Sequence, residues 1–546
     1  MKRTWRLPAL VLLPLLVVAG LAIEARDDDN AAAAARLSEL TPTAATAGTL
    51  SSTWYCAAGS AKGATTGDGA GPAEEVVIVS NVSDTDSSGT LTIYPQGAAP
   101  KPVAITVVAH SRAEVRISDQ VKAPWAGVLV EATGGELTVA HELTGPTGRS
   151  ISDCASTPSA QWYFPSGTTR AGSEMWLALF NPFPGEATVD VGFDTEEGAR
   201  TPSDFEGIVV PGGSVVVKRV GQALDDDGST KSPVSLREHV ATTVSVRSGR
   251  IVAEQIQSLV GREGGTKGLT ATVGATAAAP VWTFPMGPPA DVDAAESVTV
   301  FNPGGADIDV LVQVQLDDPA TNGTVEPFAV SVPAHRFAFV DVSADERVQK
   351  GVPHWVVVRT PDGSDIVAER SLSGGGANGF SYAMGLPVVA TRWLAPVADA
   401  KQVATSLLAV ANPSATETAT FSVRRQGGGT ADDVAAASGL TVAPGEWKVI
   451  DLQAAGFAAT SSVEVTSDIP VVVGQWMTFA TPKDISTPVG VPMAGTQSVP
   501  LAVVGPAVAA DETLDTGDLA PLAPVPGASV PDDGGTGSTE TTAAGG

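Results

Sequence analysis

Hydrophobic and polar residues alternate with a period of two along most of the chain between residues 50 and 497. Successive side chains of a β-strand point to opposite faces, so this period predicts half-buried strands. The runs are short and bounded by Gly, Pro, Asn and Asp, as in VVIVSNV, ATVDVGFD and IDVLVQVQL, which predicts an antiparallel all-β protein. Helical periodicity is scarce beyond the first 40 residues, where AAAAARLSEL (31–40) reads as a short helix or a low-complexity stalk. Two alternating runs flank a Gly- or Pro-containing turn in ITVVAHSRAEVRI, IVVPGGSVVVKRV, VSVPAHRFAFVDV and LTVAPGEWKVIDL. Each of these is expected to be a β-hairpin.

The pattern recurs. Trp54, Trp162, Trp282 and Trp393 open four units at intervals of 108, 120 and 111 residues. In each unit a strand-like run then ends at Asn81, Asn181, Asn302 or Asn412. Three of these asparagines precede proline, which has no N–H for the ladder, so the asparagine marks a strand stop. A unit holds roughly seven or eight short strands, the density of an antiparallel β-sandwich and about twice that of a propeller blade. The expected fold is therefore all-β: four tandem antiparallel, Ig-like β-sandwich repeats, at 51–160, 161–280, 281–391 and 392–497. They read as four beads, each able to fold alone. The recurring tryptophans are expected in the cores, whereas Trp125, Trp176, Trp355, Trp447 and Trp476 are scattered and include candidates for exposed platforms.

Two cysteines sharpen the unit boundary. Cys56 stands two residues after Trp54, where the other units have Phe164, Phe284 and Ala395. Cys154 stands eight residues before Trp162, as Gly274 and Gly385 stand before Trp282 and Trp393. A Cys56–Cys154 disulfide is expected to replace a Phe-over-Gly contact and to close unit one.

The ends of the chain differ from the repeats. Lys2, Arg3 and Arg6 precede an apolar run at 7–23, and Asp27, Asp28 and Asp29 follow it. Residues 1–30 read as a basic cytoplasmic stub with a membrane anchor, the repeats lying outside the cell; secretion after signal cleavage is the alternative. Residues 31–50 read as a linker. The tail, 498–546, is rich in Pro, Ala, Gly and Thr, has almost no aromatic residue and is expected to be disordered. The net charge is −28 and no basic stripe occurs, which excludes nucleic acid as a partner.

The succession W-[YF]-F-P-x-G, a strand ending in Asn-Pro, a Pro-Gly-type turn and I-V-A-E-[QR] resembles an exported actinobacterial family, the domain-of-unknown-function 5719 family. The carriers are 162–167, Asn181 with Pro182, 211–213 and 251–255 in unit two, and 282–287, Asn302 with Pro303, 333–334 and 366–370 in unit three. Units one and four depart from it: Asn81 lacks the proline and Gly474 replaces the glutamate. The resemblance implies an envelope location in a high-GC Gram-positive bacterium and implies no activity.

Catalytic chemistry finds little support in the sequence. His110, His141, His239, His335 and His354 form no metal-binding spacing, and neither a nucleophile elbow nor a phosphate loop occurs. Glu254 and Glu369 share a V-A-E context but lie in different units, so buried structural pairing is expected of them rather than glycoside cleavage. DTDSSG (84–89) and DDDG (225–228) faintly resemble calcium loops without the full register. We therefore expect no catalytic, cofactor-binding or metal residues and no cofactor. The expected function is that of a non-enzymatic envelope protein with a structural or protein-interaction role, the alternative being a glycan-binding or wall-assembly accessory. Its partners are then envelope proteins or cell-wall glycans, and the membrane through residues 7–23.

Overall fold

The computed structural model describes residues 36–61, 71–221, 232–261, 265–317, 325–374, 379–395, 402–457 and 461–500. The expected anchor, most of the tail and the 225–228 loop lie outside the described residues. Among the described residues no helix is long and apolar enough to cross a membrane. Residues 36–40 form one short helical turn.

The protein is all-β, with four sandwich repeats. In repeat 1, strands β1 (Ser51–Cys56), β6 (Ala126–Thr133), β3 (Ser87–Pro95) and β4 (Lys101–Val107) form one antiparallel sheet, in that order. The facing sheet has the order β5 (Ser111–Arg116), β2 (Glu74–Asn81), β7 (Leu137–Thr144), β8 (Arg149–Asp153). Repeat 3 reproduces both orders, and repeat 2 does so with one edge strand split in two. In repeat 4 the counterparts of β6 and β7 merge into a single strand, Ser462–Ala480, which bends from one sheet into the other.

The four segments expected to be hairpins are corners instead. β4 pairs with β3 and β5 with β2, so the chain crosses from one sheet to the other at Ala109 and His110. The same holds for Ile208–Val210 and Ser214–Val220, Phe328–Val332 and Phe337–Asp341, and Leu440–Val442 and Trp447–Asp451. Two alternating runs with a short turn between them encode strand, turn, strand but not which sheet the second run joins. Each corner contains one left-handed residue: His110 (φ 50°), Gly213 (62°), His335 (59°) and Gly445 (74°).

The strand-stop asparagines brace these corners. Each buried Asn Nδ2 donates to a carbonyl a few residues on in its own loop and to the last carbonyl of the opposite sheet's edge strand: Val107, Val210, Val332 or Val442. Each Oδ1 accepts the N–H two residues later, at 2.8–3.1 Å. Asn81 makes the full set without a following proline, so the side chain holds the corner.

Trp54, Trp162, Trp282 and Trp393 are all buried in their sandwich cores. Cys56 and Cys154 form the expected disulfide, with a Cα–Cα distance of 4.7 Å. In repeats 2 and 3 the matching place is Phe over Gly: a Cβ on Gly274 would lie 2.6 Å from the Phe164 ring and one on Gly385 3.0 Å from that of Phe284. An alanine at either position would displace the ring.

Candidate functional site

The repeats are not separate beads. Their closing strands, β8, Lys267–Val273, Phe380–Met384 and Lys483–Ser486, pack around a common axis; each touches the next, and the fourth touches the first. The residue preceding the axial N–H in repeats 1–3 is Gly148, Gly268 or Gly379, and in repeat 4 it is Asp484. The three glycines leave room for one carboxylate: a Cβ on Gly148 would overlap Asp484, and one on Gly268 or Gly379 would crowd Asp484 and the neighbouring backbone. Asp484 Oδ2 accepts the N–H groups of Arg149 (2.8 Å) and Leu269 (2.9 Å), and Oδ1 those of Phe380 (2.8 Å) and Ile485 (2.9 Å). One side chain thus receives an N–H from every repeat. Burial pushes its carboxyl up to about 7 and the four donors oppose the shift. All four neighbours are donors, which suits the ionised form.

Two residues further along each strand, a second ring closes. The N–H groups of Ala271, Tyr382, Thr487 and Ile151 donate to the hydroxyls of Ser150, Thr270, Ser381 and Ser486 at 3.0–3.3 Å. Each donor belongs to the repeat after its acceptor, and repeat 1 donates to repeat 4. Beside these rings lies a cavity of about 70 Å³ lined by residues of all four strands, including Asp153, Thr272, Tyr382 and Thr487, and by Leu40, Thr41 and Pro42. It has room for water and not for a metabolite.

Glu254 and Glu369 extend this pattern outward. The Glu254 carboxylate of repeat 2 accepts the N–H groups of Ala57 (3.2 Å) and Ala58 (3.0 Å) in repeat 1. Glu369 of repeat 3 accepts the N–H of Ser166 (2.8 Å), in the matching loop of repeat 2. Each glutamate therefore fastens its repeat to the one before. In repeat 4 the position is Gly474, and a Cβ there would meet the Pro285 ring of repeat 3 at 2.5 Å, so a proline fills the space. Burial pushes Glu369 up to about 8 despite the Ser166 and Thr272 hydrogen-bonding groups beside it.

Glu254 also bonds His141 Nε2 (2.6 Å), whose Nδ1 meets Glu75 (3.0 Å), and all three side chains are fully buried. Burial alone would lower the His141 pKa, but the two carboxylates outweigh it and hold it up at about 10. Burial pushes Glu75 up to about 7. In repeat 3, Glu296 sits between His354 (2.5 Å) and Arg370 (3.5 Å); burial raises its carboxyl and the two cations bring it below the ordinary range. These are structural ion clusters inside sandwiches and at their joints.

The corners dock in the same rotational sense. His110 of repeat 1 meets Gln426 of repeat 4 (2.7 Å), Gly213 of repeat 2 abuts the Tyr94 ring of repeat 1, and Arg336 of repeat 3 pairs with Asp194 of repeat 2 (3.1 Å). Trp355 of repeat 3 donates to the Gly445 carbonyl of the repeat 4 corner (3.2 Å). Four of the five scattered tryptophans, Trp355 among them, fall at joints. Trp125 and Trp176 face each other across repeats 1 and 2 at 6.2 Å, and buried Trp476 packs on Met286 and Leu372 of repeat 3. Sequence reading missed Asp484, the hydroxyl ring and these joints. The signal was the lone acidic residue in a column of glycines.

Among the described residues, the one grouping with metal-ligand side chains is Cys56, His141 and Cys154, and both its sulfurs are tied up in the disulfide. At 84–89, Asp84 faces His110 (2.9 Å) and Asp86 accepts the Ala109 N–H (2.9 Å), so both brace the corner.

No curated protein matches the chain. A crystal structure of Thermotoga maritima 1070 aligns with 20% of this chain and 93% of its own length, at 17% identity and a TM-score of 0.16. Escherichia coli alpha-2-macroglobulin activated by porcine elastase aligns over 82% of this chain and 44% of its own, at 9% identity and a TM-score of 0.10. A tetra-tandem repeat from the extending region of a large adhesion protein aligns over 78% and 99%, at 12% identity and a TM-score of 0.08. Over residues 126–376, from β6 of repeat 1 into repeat 3, the chain matches the Family of unknown function (DUF5719), the family its recurring motifs resemble.

Proposed function

We propose that this protein is a non-enzymatic, exported envelope protein whose closed ring of sandwiches is a rigid structural or protein-interaction platform. One observation carries the reading: the polar groups that recur or converge among the repeats are used inside the ring. The asparagines brace corners, Glu254 and Glu369 fasten neighbours, and Asp484 gathers the axis. The sequence varies instead at exposed hairpin tips such as Glu196 with Glu197 and Gly428 with Gly429, and loops on a rigid scaffold are where binding surfaces are built. The basic-before-acidic flanks of residues 7–23 support display outside the membrane.

The test has two arms. Protease added to intact protoplasts is expected to digest the repeats; full protection rejects the location. The purified protein is expected to leave wall glycans and peptides uncut while capturing specific envelope proteins. Turnover of any envelope polymer by the folded protein rejects the non-catalytic reading.

A further inference from the structure

The joints between repeats 1 and 2, 2 and 3, and 3 and 4 are not alike. At each joint, the sheet of the later repeat that contains the Asn-ended strand faces the earlier repeat. In repeat 2 this face presents Trp176, Ala178, Val217 and Ile256, and in repeat 4 Leu407, Ala409, Val449 and Trp476; both register with the same asparagine. The matching positions in repeat 3 are Ser297, Thr299, Phe339 and Ser371. Two joints are therefore filled by tryptophan and aliphatic side chains, and the joint between repeats 2 and 3 has three hydroxyls and a phenylalanine in their place.

That joint is hollow. A crevice of about 270 Å³ lies between the repeats, lined by Ser166, Thr168 and Thr266 of repeat 2 and by Ser297, Thr299, Ser371 and Ser373 of repeat 3. The Ser166 hydroxyl is buried in the crevice wall, beside the Glu369 carboxylate. Half-buried Phe339 supplies an apolar wall, with the His239 ring against it at a centroid distance of 4.5 Å. At the exposed rim Arg170 and Glu238 are paired (2.6 Å), so they neutralise each other.

We propose that this crevice binds a neutral sugar ring. A pyranose presents hydroxyls that both donate and accept around its edge and a C–H face that packs on an aromatic ring. Serine and threonine hydroxyls likewise both donate and accept, so a hydroxyl-lined wall matches that edge without a fixed charge. Phe339 suits the face. The volume is just under the range of about 300–1,000 Å³ typical of small-molecule pockets, which suits one ring or the end of a chain. Among the described residues the rim arginine, Arg170, is already paired with Glu238, which favours a neutral ligand over an anionic one. The assignment concerns the crevice alone and does not depend on where the protein resides.

The test is saturation-transfer NMR and calorimetry on the full chain with the methyl glycosides of glucose, mannose, galactose, arabinose and N-acetylglucosamine, with glucose 6-phosphate as the charged probe. Saturable binding of at least one neutral glycoside is expected, on the order of a millimolar Kd for so small a ligand. Ser371→Trp places in repeat 3 the residue repeat 4 carries at this position and is expected to abolish binding. Phe339→Ala is expected to weaken it about tenfold or more, and keeps the test open if the tryptophan variant does not fold. No saturable binding of any neutral glycoside, binding of the phosphate sugar alone, or binding that a folded Ser371→Trp or Phe339→Ala variant leaves unchanged overturns the proposal. Those outcomes leave the non-catalytic platform reading standing, because that reading rests on polymer turnover and envelope capture.

Discussion

Asp484 accepts the backbone N–H of Arg149 at 2.8 Å although the two residues are 335 positions apart, so the last repeat holds the first. The same carboxylate takes an N–H from repeats 2 and 3. Losing its acceptor capacity affects every repeat at once. In Asp484→Asn the amide turns donors toward two of the four N–H groups, and each unsatisfied buried group costs roughly 1–3 kcal/mol. Urea denaturation is expected to remain a single transition with a lower midpoint. Separate transitions for separate repeats would show that the axis does not couple them.

Repeats 2 and 3 expressed as residues 161–391 are not expected to fold as a native pair, contrary to the bead picture drawn from periodicity. The fragment lacks Ala57, Ala58 and His141 around Glu254, and Asp484 against Leu269 and Phe380. Circular dichroism and amide exchange of the fragment check this. Native-like protection in the fragment would restore independent beads.

Replacing both Cys56 and Cys154 with Ala opens a 98-residue loop, worth roughly 4–5 kcal/mol in the chain-entropy model. Because β8 belongs to the axis, the whole transition is expected to shift rather than one repeat's share of it. Differential scanning calorimetry distinguishes the two.

Asn181→Ala removes two buried donations and one acceptance at a corner, and a loss of about 2–4 kcal/mol is expected. Pro182→Ala, which changes mainly the freedom of the unfolded chain, is expected to cost about 1 kcal/mol or less. Equal losses would return the role to the proline.

Stability is expected to fall steadily between about pH 5 and pH 9. Glu75 and Glu369 have folded values near 7 and 8, above their unfolded values, so the folded protein holds protons that the unfolded chain has released. Their stabilising share is complete below the unfolded carboxyl range and is lost as pH rises through 7–8. His141, raised to about 10, acts in the same direction: its share is present below the ordinary histidine value and disappears toward pH 10. Glu296 has the opposite sign, but its lowered carboxyl titrates below this window. Thermal melts across the range check the slope, and a flat or rising profile contradicts it.

Local chemistry made the sandwiches legible in the sequence. A tryptophan, an asparagine and a left-handed turn residue each work within one repeat, so recurrence exposes them. The disulfide was legible because Phe164 and Gly274 mark the same two places as Cys56 and Cys154. The sheet assignment at His110 and Gly213 was not, since alternation fixes which face is buried and not which sheet a strand joins. The ring was also hidden, because Asp484 acts on residues hundreds of positions away and breaks the repeat pattern instead of following it. Ser371 escaped notice for a related reason: a serine among strand residues is unremarkable until Trp476 stands at the same place in another repeat.

Because the fourth closing strand returns to the first, the number of repeats is arithmetic imposed by geometry. An open stack such as an ankyrin or leucine-rich array gains or loses a unit at little cost, since each unit meets only its neighbours along a line. Here a fifth unit has no seat between Ser486 and Ile151, and a deleted one leaves Asp484 facing a gap. Gain or loss of one unit by unequal recombination is therefore expected to break the closed axis and destabilise the fold. Homologues that share the glycine–aspartate column are expected to carry four units and to differ in their loops.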